Sequence, residues 1–362
     1  MNKFYADGSR VRVLGRTLFL NNIRYLSWSC SGIEFTFEGT EISAEIWTDW
    51  VKDEPWKEIF QGYIAVFVND EKEPYARFAV DTGTNSYVIY KSDKPEKVKI
   101  RIEKLSEAAF DKIGIVSISA DGEIFPTEPK QRIMEFVGDS ITCGFGIEGK
   151  NAEEGFRTET ENPHINYASL TARSFGADHS LISWSSIGVY SSWCSEDNGK
   201  PNNGWVMPML YDYTDIGLEG TLEIKEHIPW DFGRSEPHVI VINLGTNDAS
   251  YTKDIPERLD EFEKAYKDFV SHIREKNPSA YIICALGMMG DELFPPIEKA
   301  VSKTGDSRVF AVRFDVQREE DGIGSEKHPN FVTHRKAAER LTQKISEITG
   351  WDFDPDIFNT NS

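Results

Sequence analysis

Four cysteines in 362 residues, at 30, 143, 194 and 284, form no CxxC pair. That scarcity argues against a structural zinc site and a disulfide framework, and reduced thiols fit a cytoplasm. No apolar run approaches the roughly 18 residues needed to span a membrane. The opening MNKFYADGSRVRV has no apolar core of a secretory signal, so the expectation is a cytoplasmic protein, or a secreted one if the sequence is a mature form. Basic residues are in short supply: Lys and Arg number 40 against 60 Asp and Glu, a formal net charge of −20. A phosphate backbone or anionic lipid surface would be repelled on average, which leaves nucleic acid and membranes as poor partners and a neutral sugar unpenalised. There is no internal repeat and no low-complexity tract. No G-x-S-x-G occurs, so the nucleophile elbow of the α/β-hydrolases is absent.

What is present divides into two halves of different period. The chain is too long for one ordinary domain and long enough for two. In residues 1–126, apolar and polar residues alternate as in strands. Ile33, Phe35 and Phe37 are followed, after Gly39-Thr40, by Ile42, Ala44 and Ile46, which reads as a hairpin with one buried face. Val98, Ile100 and Ile102 repeat the pattern, and Tyr63 to Val68 suits a central strand. Many short strands separated by turn residues predict an all-β sandwich of jelly-roll type. Trp47, Trp50 and Trp56 form an aromatic cluster here, read as core or domain-interface packing in preference to a sugar-stacking platform.

After Pro126 a polar stretch serves as a linker, and residues 127–362 alternate apolar strands with helices. Strands are expected at 133–137, 181–184, 239–244, 281–286 and 309–314. Leu259, Phe262, Tyr266, Phe269 and Ile273 mark one helix face, and a last helix runs from about 333 to 348 before Gly350. This pattern predicts a parallel α/β sheet with its site at the carboxyl edge.

The candidate chemistry lies at those strand ends. Gly138-Asp139-Ser140-Ile141-Thr142 closes the first parallel strand. A serine there either meets substrate or merely caps the next helix. Leu244-Gly245-Thr246-Asn247-Asp248 closes another strand. The Asn247 amide is a candidate oxyanion donor, although Asn-Asp at such a place also serves as a turn or cap. Gly188, after a third strand, offers a backbone N–H or is simply a turn residue. Among the seven histidines, His328 stands apart. Pro329 keeps it out of helical geometry, in the loop between the last strand and the last helix, and Glu326 lies two residues upstream. His179, His227, His238 and His272 read as structural, and His334 as packing or capping. The spacing of His328 and His334 is not that of a metal site, so no metal is expected. Trp193, Trp205 and Tyr211 lie in a long insertion after Gly188 and are candidate substrate-binding aromatics.

Taken together, Gly-Asp-Ser-Ile-Thr, Gly188, Gly-Thr-Asn-Asp and the late His-Pro resemble the four blocks of the SGNH (GDSL-like) hydrolases, in the family's order across residues 133–350. The run Glu135 to Gly146 resembles carbohydrate esterase family two in particular, whose members carry an N-terminal jelly-roll domain. The resemblance implies a flavodoxin-like catalytic domain with helices on both faces of the sheet. It implies Ser140 as nucleophile, His328 as base, and an oxyanion hole of the Ser140 N–H, the Gly188 N–H and the Asn247 amide. The family's usual Asp two residues before the histidine is here Glu326. Either its carboxylate completes a triad or a backbone carbonyl orients the ring instead. The implied activity is a serine esterase that removes O-acetyl groups from acetylated xylo- or manno-oligosaccharides through an acetyl-enzyme, with no cofactor. Alternatives are a lipase or thioesterase of the same fold, or a glycan-binding protein with a vestigial hydrolase half. A homo-oligomer is left open.

Overall fold

The computed structural model describes residues 1–359. The chain divides into two compact units that are not contiguous in sequence. The first comprises Met1–Pro129, Arg157–Glu161 and Thr214–Ile228, and the second comprises Lys130–Phe156, Asn162–Tyr213 and the residues from Pro229 onward.

The first unit is built on strands β1 (Asn2–Phe4), β2 (Arg12–Leu14), β3 (Thr17–Leu20), β4 (Ile23–Leu26), β5 (Gly32–Thr48), β6 (Tyr63–Val68), β7 (Ala76–Ala79), β8 (Gly83–Lys104), β9 (Ile113–Ala120) and β10 (Glu123–Pro126). They form an antiparallel sheet in the order β3-β4-β9-β5-β8-β6-β7. β1 is added beside β9, and β2 and β10 beside β5. The long strands curl around one apolar core that draws on Phe35, Phe37, Ile42, Ile46, Ile64, Ile100 and Ile115.

The expected hairpin at Gly39-Thr40 is instead a bulge within the single strand β5. Both halves of β5 pair with β8, and the register slips between Gly39 and Glu41 and again between Ile42 and Ser43. Buried positions are odd-numbered before the slip and even-numbered after it, so the irregularity keeps both halves facing the same core. The Asp121 carboxylate holds the bulge, accepting the N–H groups of Thr40 at 2.9 Å and Glu41 at 3.1 Å. Glu34 alternates away from this core yet is also buried, where Arg12 (2.6 Å) and Arg101 (3.0 Å) pair with it. Burial opposes its ionisation, but the two guanidiniums hold the carboxyl below its ordinary range. Trp50 is buried and donates its indole N–H to the Lys57 carbonyl, and Trp47 packs edge-on against Tyr25. Only Trp56 of the three is exposed, in line with the packing reading for the others.

The second unit carries a parallel sheet of β11 (Ile133–Gly138), β12 (Asp178–Ser183), β13 (Val239–Asn243), β14 (Tyr281–Met288) and β15 (Val309–Val316), in the order β12-β11-β13-β14-β15. This is the flavodoxin-like order, whose switch point lies at the carboxyl ends of β11 and β13. The main helices are α1 (Ser140–Cys143), α2 (Tyr167–Ser174), α3 (Pro256–Lys276), α4 (Phe294–Thr304) and α5 (Phe331–Thr349). Phe262, Tyr266, Phe269 and Ile273 form the buried stripe of α3, and Ala337, Leu341 and Ile345 that of α5. Gly350 ends α5 at φ +72°, a left-handed cap that favours glycine. None of the four cysteines forms a disulfide among the described residues. Among the described residues no helix is long and apolar enough to cross a membrane.

Candidate active site

Strand β11 ends at Gly138, and a side chain there would collide with Thr142 and the Asn243 carbonyl. Asp139 caps α1 by accepting the Ile141 N–H at 3.0 Å. Ser140 is therefore the first helical residue, and its own N–H has no intrahelical acceptor. The serine both begins the helix and faces the site, so the capping role belongs to its neighbour.

From the far edge of the sheet, the loop after β15 brings His328 to this serine. The His328 Nε2 lies 3.0 Å from Ser140 Oγ, and Nδ1 lies 3.1 Å from the backbone carbonyl of Glu326. A carbonyl only accepts, so the neutral ring carries its proton on Nδ1 and leaves Nε2 free to accept from the serine hydroxyl. The loop is shaped for this. Glu326 and Lys327 both adopt left-handed backbone, at φ +50° and +62°. The turn is pinned on both sides, by Ser325 N–H to the Gly146 carbonyl and Glu326 N–H to the Glu154 carbonyl, each at 3.0 Å.

The Glu326 carboxylate does not join the pair. It turns away to accept the Phe156 N–H at 3.1 Å, and the residue is exposed. Extra side-chain length next to a backbone already folded back on the ring sends the carboxylate past it. The triad reading of Glu326 is thus corrected to an orienting role for its main-chain carbonyl. Phe145 covers the imidazole at 4.2 Å between ring centroids, and Phe156 stacks on Phe145 at 3.7 Å. Burial pushes the His328 pKa down to about 4, against the opposing pull of its bond to the Glu326 carbonyl. At neutral pH the ring is therefore an uncharged base.

At the neighbouring strand ends, the Asn247 Nδ2 group donates to the Ile187 carbonyl at 2.9 Å and to Asp139 Oδ2 at 3.3 Å. The Gly188 N–H points to Ser192 Oγ at 3.3 Å. Only glycine fits at 188, because a Cβ there would lie 2.0 Å from the Ser191 carbonyl oxygen. Trp205 packs edge-on against Trp184, and its carbonyl accepts the Ser192 hydroxyl, which places it on the Gly188 loop. Trp193 is 55% exposed on the same loop. Tyr211 is a correction. It is fully buried, its hydroxyl donating to Glu135 at 2.8 Å and accepting from Asn277 at 3.0 Å. Asn277 leads into the amino end of β14, so Tyr211 belongs to the core and not to a carboxyl-edge pocket. His334 is also buried, accepting the Tyr167 N–H at 3.2 Å, which bears out its packing role.

Sequence reasoning passed over Asp139, Phe145, Phe156 and Asp248. The signal for the first and last lay inside the motifs themselves, since Asp139 and Asp248 adjoin the residues singled out. Phe145 sits between Gly144 and Gly146, both at positive φ, a hint of a tightly folded segment.

Two family models match. The GDSL-like Lipase/Acylhydrolase family covers residues 136–312, and the Carbohydrate esterase 2 N-terminal family covers residues 13–129. The structure of a family two carbohydrate esterase from Clostridium thermocellum in complex with cellohexaose is 30% identical, with a TM-score of 0.82 over 94% of this chain and 99% of that one. The cellulase/esterase CelE of Acetivibrio thermocellus is 31% identical over 90% of this chain, which spans only 38% of that relative's length. An acetylxylan esterase / glucomannan deacetylase of Cellvibrio japonicus is 25% identical over 96% of this chain and 91% of its own. With a parallel sheet of the GDSL-like kind and the matching N-terminal β-unit on one chain, the protein belongs to carbohydrate esterase family two, a family of carboxylic ester hydrolases.

Proposed function

We propose that this protein is a serine esterase that removes O-acetyl groups from carbohydrate through an acetyl-enzyme. The observation that carries the reading is the relay Ser140 Oγ, His328 Nε2, His328 Nδ1 and Glu326 carbonyl, with links of 3.0 and 3.1 Å. A serine hydroxyl is a weak nucleophile at neutral pH. As Ser140 Oγ attacks the ester carbonyl, its proton passes to Nε2, and the imidazolium is steadied by the Glu326 carbonyl on the other side. Collapse of the tetrahedral intermediate breaks the bond to the sugar oxygen, which takes the proton from Nε2. Water, deprotonated in turn by His328, then releases acetate from Ser140.

The oxyanion would be held by the N–H of Ser140, the N–H of Gly188 and the amide of Asn247. The contacts from Gly188 to Ser192 and from Asn247 to Asp139 are both 3.3 Å, at the long end for hydrogen bonds. An oxyanion makes shorter and stronger bonds and would displace them. Replacing Asn247 with alanine is therefore expected to lower kcat by roughly 10²–10³ with little change in KM. A variant with only a raised KM would assign Asn247 to ground-state binding.

A neutral sugar hydroxyl as leaving group suits the acidic chain, and the names of the curated relatives favour acetylated xylan and glucomannan. The test is acetate release from acetylated xylo- and manno-oligosaccharides, run beside aryl esters of increasing acyl length. Faster turnover of long acyl chains would favour a lipase or thioesterase. No release from any ester would favour a glycan-binding protein with a vestigial hydrolase half. The pH profile is a separate check. Since the base works only when neutral, kcat/KM should hold from neutral to mildly acidic pH and fall as the pH drops through the His328 value of about 4. A limb at the ordinary histidine value near 6.5 would contradict that environment.

A further inference from the structure

Asp248, the last residue of the Gly-Thr-Asn-Asp stretch, has no part in the relay, yet its surroundings are unusual for a carboxylate. It is fully buried, and no cationic side chain pairs with it among the described residues. In place of a cation it accepts three successive backbone N–H groups: Val189 at 3.0 Å on Oδ2, and Tyr190 and Ser191, both at 2.8 Å, on Oδ1. Those three residues directly follow Gly188. A Cβ on Gly188 would lie 2.7 Å from Asp248 Oδ2, so the carboxylate sits against the glycine itself.

The same loop is tied to the same strand end at two further points. Asn247 holds the Ile187 carbonyl, and the Cys194 N–H reaches Ser250 Oγ at 2.8 Å. The loop is braced within itself elsewhere, the Met207 N–H bonding the Gly188 carbonyl, the Ser192 N–H the Asn202 carbonyl and the Trp193 N–H the Ser186 carbonyl, each at 2.9 Å. Among the described residues, however, it is Asp248 that takes the N–H groups of 189–191. Ser186 begins it in left-handed backbone at φ +64°, and Tyr190 and Trp193 leave part of their surface open. From this geometry we infer that Asp248 is a positioning residue for the esterase reaction, its carboxylate fixing the 189–191 backbone and thereby the direction of the Gly188 N–H. The inference rests on the proposed esterase reading and on Gly188 as an oxyanion donor.

A buried carboxylate with no counter-charge is costly unless its lone pairs are satisfied. Three charge-assisted N–H bonds are strong compensation, and they have a direction. An apolar residue of similar size could fill the space, but it could not orient three consecutive peptide groups. In a preorganised oxyanion site, a small rotation of the donor peptide affects the transition state far more than the ground state.

The test compares wild type with Asp248→Asn on one acetylated xylo-oligosaccharide, after wild-type acetate release and its loss in Ser140→Ala have been established. The amide side chain keeps its volume but exchanges one acceptor oxygen for a donor that faces an N–H. We expect kcat to fall 10- to 100-fold, KM to stay within twofold and the melting temperature to stay close to wild type. An unchanged kcat, a loss carried by KM, or a variant that fails to fold would overturn the positioning role. A second measurement needs no variant. In the wild-type protein, the amide protons of Val189, Tyr190 and Ser191 should exchange with deuterium as slowly as those of the parallel strands, and loop-like rates would overturn the clamp. If the wild-type protein released no acetate, the proposed function would fall, while amide exchange would still report on the clamp.

Discussion

Ser140→Ala should lose acetate release by roughly 10⁶-fold in kcat while keeping its melting temperature and circular dichroism, the scale seen when the nucleophile of a serine hydrolase is removed. The fold should survive because the capping bond of α1 comes from Asp139 and not from Ser140. Among the described residues the hydroxyl's only polar contact is with His328, so its removal frees Nε2 of a neutral imidazole that keeps its bond to the Glu326 carbonyl, and leaves no buried charge. What remains in the variant is substrate binding and any oxyanion donors still in place, neither of which forms the acetyl-enzyme. The measurement is turnover by acetate assay, beside trapping of the acyl-enzyme by mass spectrometry in wild type. More than a trace of activity in the purified variant would remove Ser140 from the role of nucleophile.

The second large effect concerns the other end of the relay, where two neighbouring substitutions should part company. His328→Ala should collapse kcat on the same scale as Ser140→Ala, and the double variant should be no worse than either, since the two residues act as one unit. Glu326→Gln should cost less than tenfold, because the carboxylate bonds to the Phe156 N–H and the ring is held by a main-chain oxygen that the substitution leaves in place. A buried triad carboxylate typically costs about 10⁴ when it becomes an amide. Glu326→Pro should behave like the histidine variant. Proline fixes φ near −65°, far from the +50° found here, and would swing the carbonyl off Nδ1. Equal collapse of Glu326→Gln and His328→Ala would restore the carboxylate to a triad.

How far the sequence alone reached can be judged from individual residues. The five parallel strands were legible as apolar runs, and the clusters at their ends located Ser140, Asn247 and His328, because a βαβ topology gathers carboxyl ends at one edge. The sequence also left the orienter of His328 open between a side chain and a carbonyl. It could not close that question, since the answer depends on two left-handed residues, Glu326 and Lys327, that carry no glycine to announce them. Tyr211 misled for a related reason. An aromatic residue in a long insertion looks like pocket material, and only the burial of its hydroxyl beside Glu135 and Asn277 places it in the core. The β5 bulge was written in the sequence as a change of parity between Phe37 and Ile42. The glycine beside it reads equally well as a turn, and only pairing partners distinguish the two.

The interleaved path of the chain bears on the order in which the protein acquires its structure during synthesis. The N-terminal unit is not finished when residue 129 leaves the ribosome. It still lacks Arg157–Glu161, whose Thr158 hydroxyl bonds to the carbonyls of Ile59 and Gln61, and Thr214–Ile228, whose Thr214 carbonyl accepts the indole N–H of buried Trp28. A nascent chain halted before residue 214 should therefore hold a β-unit with Trp28 short of a partner, more open to protease than the same residues in the full chain. The second unit supplies its first strand, β11, before residue 157, and must wait for β13, β14 and β15 to complete its sheet. The β-unit has all its segments once residue 228 has emerged, before β13 begins at Val239, so it can be complete while the second unit still lacks three of its five strands. Excising the β-unit at a single cut near residue 127 would part it from two of its own segments.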